Sequence, residues 1–382
     1  MGRTLIVTND FPPRAGGIQA FVHGLASRRP ADSVVVYAPK WRGSDSFDRR
    51  QPYEVVRHPG TLMLPTPGVA RRAAELAKGC DTVVFGAAAP LGMLAPGLRS
   101  AGVGRVVMLT HGHEASWARL PVARDMLRRI GQGADVVTYL GDYTRRRLAS
   151  VIPESKLVRL APGVDTSAFH PGAGGAGVRK SLGLEDRPVV VCVSRLVPRK
   201  GQDMLIRSWP RVLREVPDAV LLLVGGGPSR NALERAAAGH VARGSVVFTG
   251  SVPWATLPAH YDAGDVFAMP CRTRLAGLDI EGLGIVYLEA SASGLPVVAG
   301  SSGGAPDAVR HGETGLVVDG TSEAEIAGAL TGLLSDPARA RAMGERGRAW
   351  IEGEWGWDRV AARFSGILTA TATGTEPAAE WR

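Results

Sequence analysis

Short runs of aliphatic and β-branched residues alternate along the chain with segments that repeat apolar residues at helical spacing. Runs that are apolar at nearly every position indicate strands buried on both faces, and their alternation with helices predicts parallel, doubly wound sheets of the α/β class. Six such runs lie in the first half, at 4–8, 33–38, 81–86, 105–112, 135–140 and 157–163. Six more lie in the second half, at 188–196, 219–227, 245–250, 265–270, 295–300 and 314–319.

A glycine-rich segment, "FHPGAGGAGVRKSLGLEDR" (169–187), separates the two sets of runs. The chain of 382 residues is longer than one hydrophobic core usually supports. We therefore expect two Rossmann-like domains. The first comprises residues 1–170 with a C-terminal helical segment at 354–382, and the second comprises residues 171–353. Ligands of such sheets bind at the carboxyl ends of the strands, so we expect the functional residues in the loops there.

The net charge of +9 favours an anionic partner or describes an ordinary basic surface. The basic residues are dispersed and are not interleaved with aromatic residues, which argues against nucleic acid. An anionic membrane surface or a phosphorylated small molecule fits this charge. No apolar run is long enough for a membrane helix or a signal peptide, so we expect a cytoplasmic protein. Cys80, Cys192 and Cys271 are widely spaced, which favours neither a disulfide framework nor a metal site.

The first predicted strand ends in the loop "TNDFPPRAGGIQAF" (8–21). Two prolines stiffen this loop, and Gly16 and Gly17 then leave its backbone without side chains where a helical pattern begins. Backbone N–H groups exposed in this way can approach a ligand closely. Another strand end, "THGHE" (110–114), carries His113, which is either a structural histidine or part of the same site.

The first strand of the second half leads into "SRLVPRKG" (194–201), in which Arg195 and Lys200 flank a proline-containing turn. Two cations at a strand end can neutralise a diphosphate, although an isolated pair is often only exposed surface charge. The later "GGGPSRNALE" (225–234) partly matches a dinucleotide fingerprint, but Arg230 stands where the third glycine is required. A dehydrogenase is therefore disfavoured, while a close approach of a nucleotide remains possible.

The most specific pattern is "EGLGIVYLEASASGLPVVAG" (281–300). Its glycines keep Glu281 out of a helix, which we expect to begin near Gly284 and to end near Ser293. The N–H groups of Gly284, Ile285 and Val286 would then be unpaired at a helix start, which is a ready phosphate site. The glycine pair of the next loop, at 303–304, either lines the same pocket or makes a tight turn.

Glu281 and Glu289 could also be the carboxylate pair of a glycoside hydrolase. Eight residues of helix separate two positions by about 12 Å, whereas hydrolase pairs lie roughly 5–9.5 Å apart. Together with the neighbouring phosphate-type site, this spacing makes hydrolysis an improbable activity.

These motifs together resemble the retaining glycosyltransferases of family 4, which have the GT-B fold of two Rossmann-like domains facing a cleft. The segment from Glu281 to Glu289 matches the E-x7-E signature of that family, and the other motifs occur in the family's order over essentially the whole chain. The loops 8–21 and 110–114 are most similar to those of GDP-mannose-dependent phosphatidylinositol monomannoside mannosyltransferases. The resemblance implies transfer of a second, α-1,6-linked mannose from GDP-mannose to a phosphatidylinositol mannoside in cell-envelope glycolipid synthesis.

For the second domain, the resemblance implies that Arg195 and Lys200 bind the diphosphate and stabilise the departing nucleotide. It implies that Glu281 holds the hydroxyls of the donor sugar and that Glu289 holds those of the ribose. Val252 would contact the base through its backbone. The amides at 284–286 would meet the phosphate and the sugar.

For the first domain, the resemblance implies that Gly16 and Gly17 lie under the diphosphate and sugar, and that His113 lies beside the reacting sugar. The family uses front-face attack with retention, and the sequence has no D-x-D pair to hold a metal, so we expect no cofactor besides the donor substrate. Where many members have "PS", this chain has "MPCRTR". The roles of Cys271, Arg272 and Arg274, including a role in tuning the acceptor, stay open.

A lipid acceptor would give the basic charge a meaning, with the enzyme peripheral on the inner face of the cell membrane. The segments 69–79 and 119–131 are candidate amphipathic helices for contact with anionic lipid, or ordinary surface helices. Their cations are Arg71, Arg72, Lys78, Arg124, Arg128 and Arg129. The alternatives are another nucleotide sugar or a soluble acceptor. A non-catalytic sugar-nucleotide sensor is disfavoured because the four charged residues of the motifs are all present.

Overall fold

The computed structural model describes residues 2–369, which divide into two compact units. Unit 1 contains the chain up to Pro162 and the helix that begins at Trp357, and unit 2 is Gly163–Gly356. Residues 163–170 and 354–356, expected in the first domain, therefore lie in unit 2. Part of the expected C-terminal segment, residues 370–382, lies outside the described residues.

Unit 1 contains a sheet of seven parallel strands in the order β3-β2-β1-β4-β5-β6-β7. Six of these strands are the predicted ones, and their parallel pairing confirms the expectation drawn from the apolar runs. The strands are β1 (Thr4–Val7), β2 (Val34–Pro39), β3 (Glu54–His58), β4 (Thr82–Phe85), β5 (Arg105–Met108), β6 (Val136–Tyr139) and β7 (Leu157–Arg159).

The sequence pattern missed β3, which is an edge strand of this sheet. Its residues are exposed or only partly buried. Because an edge strand packs against one neighbour and faces solvent, it tolerates charged residues such as Glu54 and Arg57 that interrupt an apolar run.

Helices cover both faces of the unit 1 sheet. On one face, α3, α4 and α6 contribute Val69, Leu98 and Ile130 to a shared core, and on the other face α1 and α16 contribute Phe21 and Phe364. The helices are α1 (Gly17–Ala26), α2 (Ser44–Asp48), α3 (Pro67–Ala77), α4 (Ala95–Ser100), α5 (His113–Trp117), α6 (Pro121–Gly133), α7 (Asp142–Ala149) and, at the far end of the chain, α16 (Trp357–Thr369).

Unit 2 contains a sheet of six parallel strands in the order β10-β9-β8-β11-β12-β13, and all six were predicted. The strands are β8 (Val189–Val193), β9 (Val220–Val224), β10 (Val246–Gly250), β11 (Val266–Met269), β12 (Val297–Gly300) and β13 (Gly315–Val318). The helices are α8 (Gly175–Leu182), α9 (Gln202–Glu215), α10 (Arg230–Ala236), α11 (Ala238–Ala242), α12 (Leu257–Asp262), α13 (Ile285–Ala292), α14 (Glu323–Leu334) and α15 (Pro337–Glu354).

The order of strands in unit 2 reverses direction at β8, because the chain first builds outward to β9 and β10 and then continues from β11 on the other side. The loops after β8 and β11 therefore leave the sheet at a topological switch point, where ligands of such folds bind. Between residues 2 and 369, no helix combines the length and the apolar content needed to cross a bilayer.

Candidate functional site

A buried ion pair lies at the switch point of unit 2. Lys200 Nζ lies 2.6 Å from Glu281 Oε2, and both side chains are almost completely buried. Lys200 ends a short 3-10 turn, Pro198–Lys200, which follows β8. The next residue, Gly201, has a φ of 80°, and a Cβ there would lie 2.1 Å from the carbonyl oxygen of Pro270. Glycine thus lets this turn pack directly on the chain that leaves β11.

Arg199 is a second cation beside Glu281. Its Nε lies 3.7 Å from Glu281 Oε2, and its Nη1 lies 3.8 Å from Asp279 Oδ1. These distances exceed a hydrogen bond, so Arg199 supplies charge rather than a directed contact. Arg199 was not predicted from the sequence motifs, although its place in "PRKG", next to Lys200, is a usable signal.

Arg195 lies apart from this pair, at the wall of a pocket of about 320 Å³ in unit 2. The side chain of Arg195 is exposed, and no acidic partner for its guanidinium is found among residues 2–369. The pocket also includes Val252, so the structure brings together two residues expected to bind the donor. Its wall is completed by Val193, Ser194, Val224, Gly225, Gly226, Ser251 and Leu257.

The glycine-rich loop after β9 packs against the strand exit that carries Arg195. A Cβ at Gly225 would lie 2.1 Å from the carbonyl oxygen of Ser194, and one at Gly227 would lie 2.4 Å from that of Leu196. The N–H of Leu196 donates to the carbonyl of Gly226 at 2.9 Å. These glycines are explained by the approach of two backbones, which form one wall of the pocket.

Helix α13 begins where the sequence predicted. Gly284 is its N-cap with a left-handed φ of 83°, no side chain caps the helix, and Ser293 is its C-cap. The first N–H groups, including those of Ile285 and Val286, therefore have no acceptor within the helix, and they lie at the positive end of the helix dipole. Such an end favours a phosphate or another anion.

The glycine pair at 303–304 supports the backbone of Glu281. Gly303 has a φ of 58°, and a Cβ there would lie 2.1 Å from the carbonyl oxygen of Glu281. The N–H of Gly304 donates to that oxygen at 2.9 Å. The structure shows the tight turn, packed against the residue that carries the carboxylate, and the lining of the donor pocket by this pair stays a prediction.

Glu289 lies in the second turn of α13 and is partly buried. Its Oε2 accepts a hydrogen bond of 2.7 Å from the hydroxyl of Tyr261. Burial raises the pKa of Glu289 to about 7, and the hydrogen bond from Tyr261 opposes this rise. Tyr261 carries no recognisable sequence signal, because its contact with Glu289 joins residues 28 positions apart through packing.

The residues of "MPCRTR" have partners inside unit 2. Cys271 is buried, and the hydroxyl of Tyr287 donates to its Sγ at 3.1 Å. Arg272 makes two hydrogen bonds of 2.9 Å to Asp203, and Arg274 pairs with Asp279 at 3.5 Å. Their positions agree with a role in holding the loop that precedes Glu281.

In unit 1, Gly16 is the N-cap of α1 and Gly17 is its first residue. A Cβ at Gly16 would lie 2.1 Å from Oε1 of Gln19, whereas nothing lies within 4 Å of one at Gly17. Gln19 in turn donates to Asp10 at 2.7 Å. The roles of both glycines toward a donor stay predictions.

His113 is the first residue of α5, with 39% of its side chain exposed, and its Nε2 lies 3.3 Å from Oε1 of the buried Glu114. The neighbouring His111 is more deeply placed. Its Nε2 contacts the carbonyl of Gly86, and burial lowers its pKa. The motif "THGHE" contains both rings, and its spacing does not indicate which ring lies deeper. The role of His113 beside the reacting sugar stays a prediction.

Over residues 2–369, no group of three or more His, Cys, Asp or Glu side chains is arranged to hold a metal ion. Positive groups of unit 2 that could bind an anion include Arg195, Arg199, Lys200 and the start of α13.

Known families match both parts of the chain. Residues 15–168 match the model described as Glycosyltransferase Family 4, and residues 178–350 match the model described as Glycosyl transferases group 1. The chain is similar to the GDP-mannose-dependent alpha-(1-6)-phosphatidylinositol monomannoside mannosyltransferase of Mycobacterium tuberculosis, with 53% identity over 96% of this chain and 98% of the relative. The protein of the same name from Mycolicibacterium smegmatis is 55% identical over the same shares.

Among solved structures, the chain is similar to Anabaena HepE in complex with UDP. The TM-score is 0.81, with 18% identity over 96% of this chain and 99% of that one. This likeness confirms the expected GT-B fold. The chain therefore belongs to the family 4, group 1 glycosyltransferases, in the same family as the two mannosyltransferases above.

Proposed function

We propose that this protein transfers mannose from GDP-mannose to a phosphatidylinositol monomannoside, with retention and through an α-1,6 linkage. Its relatives of that name are 53–55% identical over nearly their whole length. The observation on which the proposal rests is the arrangement in unit 2 of Lys200 against Glu281, Arg195 at the pocket and the uncapped start of α13. This arrangement combines cations and backbone amides, which could bind a diphosphate, with a buried carboxylate, which could accept hydrogen bonds from sugar hydroxyls.

In the proposed reaction, the acceptor hydroxyl oxygen attacks C1 of the mannose on the face from which GDP leaves. The bond from C1 to the phosphate oxygen breaks, GDP departs with the electron pair, and a donor phosphate oxygen takes the hydroxyl proton. The activation barrier falls when positive groups stabilise the negative charge that develops on the leaving diphosphate in the transition state. Arg195, Lys200 and the amides of Ile285 and Val286 are fixed positive groups suited to that charge.

Glu281 has a different task from the cations. It is held on two sides, by Lys200 at its carboxylate and by the turn at 303–304 at its carbonyl. A carboxylate fixed in this way can accept hydrogen bonds from sugar hydroxyls in one orientation only. We infer that it orients the mannose, and that Glu289 binds the ribose hydroxyls.

A substrate panel tests this proposal. The purified protein is incubated with GDP-mannose, UDP-glucose or ADP-glucose, and with phosphatidylinositol monomannoside, phosphatidylinositol or free inositol as acceptor. We expect a dimannoside product only from GDP-mannose and the monomannoside lipid, with an α-1,6 linkage by NMR. Equal turnover of the three donors would refute the donor assignment, and equal use of free inositol would refute the acceptor.

We also propose that unit 1 contacts an anionic membrane. The cations of α3 and α6 are exposed, and these helices lie in one layer on either side of α4. Large apolar side chains are exposed beside them: Leu62 and Leu64 before α3, and Leu120 and Val122 at the start of α6, the last with 86% of its surface exposed. Basic and apolar side chains at one surface are the composition of interfacial contacts.

Vesicle sedimentation tests the membrane contact. Replacement of Arg71, Arg72 and Lys78 by Gln should weaken binding to vesicles with anionic lipid at least tenfold, at about 1 kcal/mol per cation. The matched control replaces three exposed arginines of α9 in unit 2, Arg207, Arg211 and Arg214, and should bind like the wild type. Equal binding of the wild type to neutral and anionic vesicles would eliminate the proposal.

A further inference from the structure

Tyr261 is fixed in one position behind Glu289. The tyrosine is completely buried, its ring stacks on Phe267 with centroids 5.7 Å apart, and Phe169 meets it edge-on at 5.5 Å. Its helix, α12, also carries Leu257, which lines the pocket with Arg195. A buried tyrosine usually needs a partner for its hydroxyl, and here the partner is Oε2 of Glu289.

The hydrogen bond occupies only one oxygen of Glu289. No hydrogen-bond partner of Oε1 occurs in the described part of the chain, and this atom is not among the buried unpaired oxygens. One oxygen is thus anchored from inside the unit, and the other is left for a ligand. Tyr261 has a pKa well above 10 because of its burial, so it keeps its proton and remains a donor.

We propose that Tyr261 is a positioning residue that holds the carboxylate of Glu289 in the orientation and the ionised form that bind the donor's ribose. This inference rests on the proposed function of the same site. Nucleotide binding should then depend on the charge of one partly buried carboxylate, and loss of the tyrosine hydroxyl should change that dependence.

The direction of the pH effect follows from burial. Because the pKa of Glu289 is raised to about 7, the carboxylate gains its charge as the pH rises through neutrality, and ribose hydroxyls donate best to the charged form. Binding should strengthen over that range. Titratable or charged side chains on the surrounding elements include Cys192 of β8, Cys271 after β11, His260 and Asp262 of α12 itself, Asp307 of the 3-10 turn Ala305–Ala308, and Arg348 of α15.

The two buried cysteines do not account for a transition near neutrality, and Nδ1 of His260 contacts the carbonyl of Thr256 at 2.8 Å rather than Glu289. Burial raises the pKa of Cys192 to about 12 and that of Cys271 to about 11, so both stay neutral. Arg348 pairs with Glu352 and donates to the carbonyl of Ala292.

The test is calorimetric titration of GDP into the full-length protein from pH 6 to pH 9. Tyr261→Phe removes only the hydroxyl, so the pKa of Glu289 should rise further. We expect binding about tenfold weaker than wild type at pH 6, and less than about twofold weaker at pH 9. Comparing the two proteins at each pH cancels the titration of GDP itself. Tyr53→Phe, which removes a buried hydroxyl in unit 1, is the matched control and should leave binding unchanged.

A ligand control and a second variant complete the design. With 2′,3′-dideoxy-GDP, wild type and Tyr261→Phe should bind equally. Glu289→Gln should bind GDP weakly with no step near neutral pH, which keeps the test decisive if Tyr261→Phe does not fold. An equal loss at every pH would overturn the role of Tyr261 in keeping Glu289 ionised, and no loss at any pH would overturn the positioning role altogether. A wild type that binds UDP or ADP but no GDP at any pH would instead overturn the proposed function.

Discussion

Alanine substitutions at Arg195 and at Lys200 should both lower the rate of transfer, but only the substitution at Lys200 should also lower the stability of the fold. Both cations are assigned to the leaving diphosphate, so each loss should lower kcat by about 10²–10³. Their surroundings differ, however. Arg195 is exposed at the pocket wall, whereas Lys200 is buried against Glu281.

The loss of stability expected for Lys200→Ala follows from the carboxylate of Glu281, which the substitution leaves without its buried partner. Side-chain exposure is 11% for Lys200 and 7% for Glu281. Breaking a buried pair usually costs about 3–5 kcal/mol because one charge stays unpaired. Arg199, 3.7 Å from Glu281, still supplies positive charge, so we expect the lower end, about 3 kcal/mol. For a unit of this size, that corresponds to a fall in Tm of roughly 6–12 °C.

Arg195→Ala should change the free energy of unfolding by less than about 0.5 kcal/mol, because the arginine side chain is exposed and has no acidic partner within residues 2–369. The assay combines steady-state mannosyl transfer with urea unfolding followed by fluorescence. Arg207→Ala, on the exposed face of α9, is the control for loss of a unit 2 cation and should alter neither quantity.

Two results would refute this reasoning. A folded Arg195→Ala protein with the wild-type kcat would remove the assigned role at the diphosphate. An unchanged unfolding midpoint for Lys200→Ala would contradict the importance of its buried pair with Glu281.

Three further substitutions probe the surroundings of the site. Gly303→Ala should destabilise the protein by at least about 1 kcal/mol and weaken GDP-mannose binding, since a left-handed φ and a clash with the carbonyl of Glu281 coincide there. A wild-type Tm together with a wild-type KM for GDP-mannose would contradict this. Arg199→Gln should raise the donor KM severalfold with little change in Tm, and an unaltered KM would show that its charge is not felt at Glu281. Arg272→Ala should cost about 1 kcal/mol by losing its pair with Asp203, while the acceptor KM stays at the wild-type value; a selective rise in that KM would assign the side chain to acceptor binding.

The sequence predicted the sheets well because strands buried on both faces must be apolar throughout. It also predicted the bounds of α13, since Gly284 readily adopts the left-handed φ that precedes the first turn of the helix. It missed β3, whose edge position removes the requirement for an apolar run.

Contacts between distant segments were beyond the sequence pattern. Lys200 and Glu281 were both expected at the site, but their direct pairing across 81 positions depends on how the turns after β8 and β11 pack. Tyr261 shows the same limit more strongly. Its hydroxyl reaches Glu289 only because α12 and α13 pack around a common aromatic cluster, and no local spacing encodes that arrangement.

The central claim is that Arg195, Lys200 and the first amides of α13 meet the charge that develops on the leaving GDP. The most direct measurement is kcat for mannosyl transfer to the monomannoside lipid with EDTA present, compared with the same reaction supplied with Mg²⁺. The two rates should be equal within about twofold, because fixed protein groups provide the positive charge. A rate that falls a hundredfold in EDTA and returns with Mg²⁺ would contradict it.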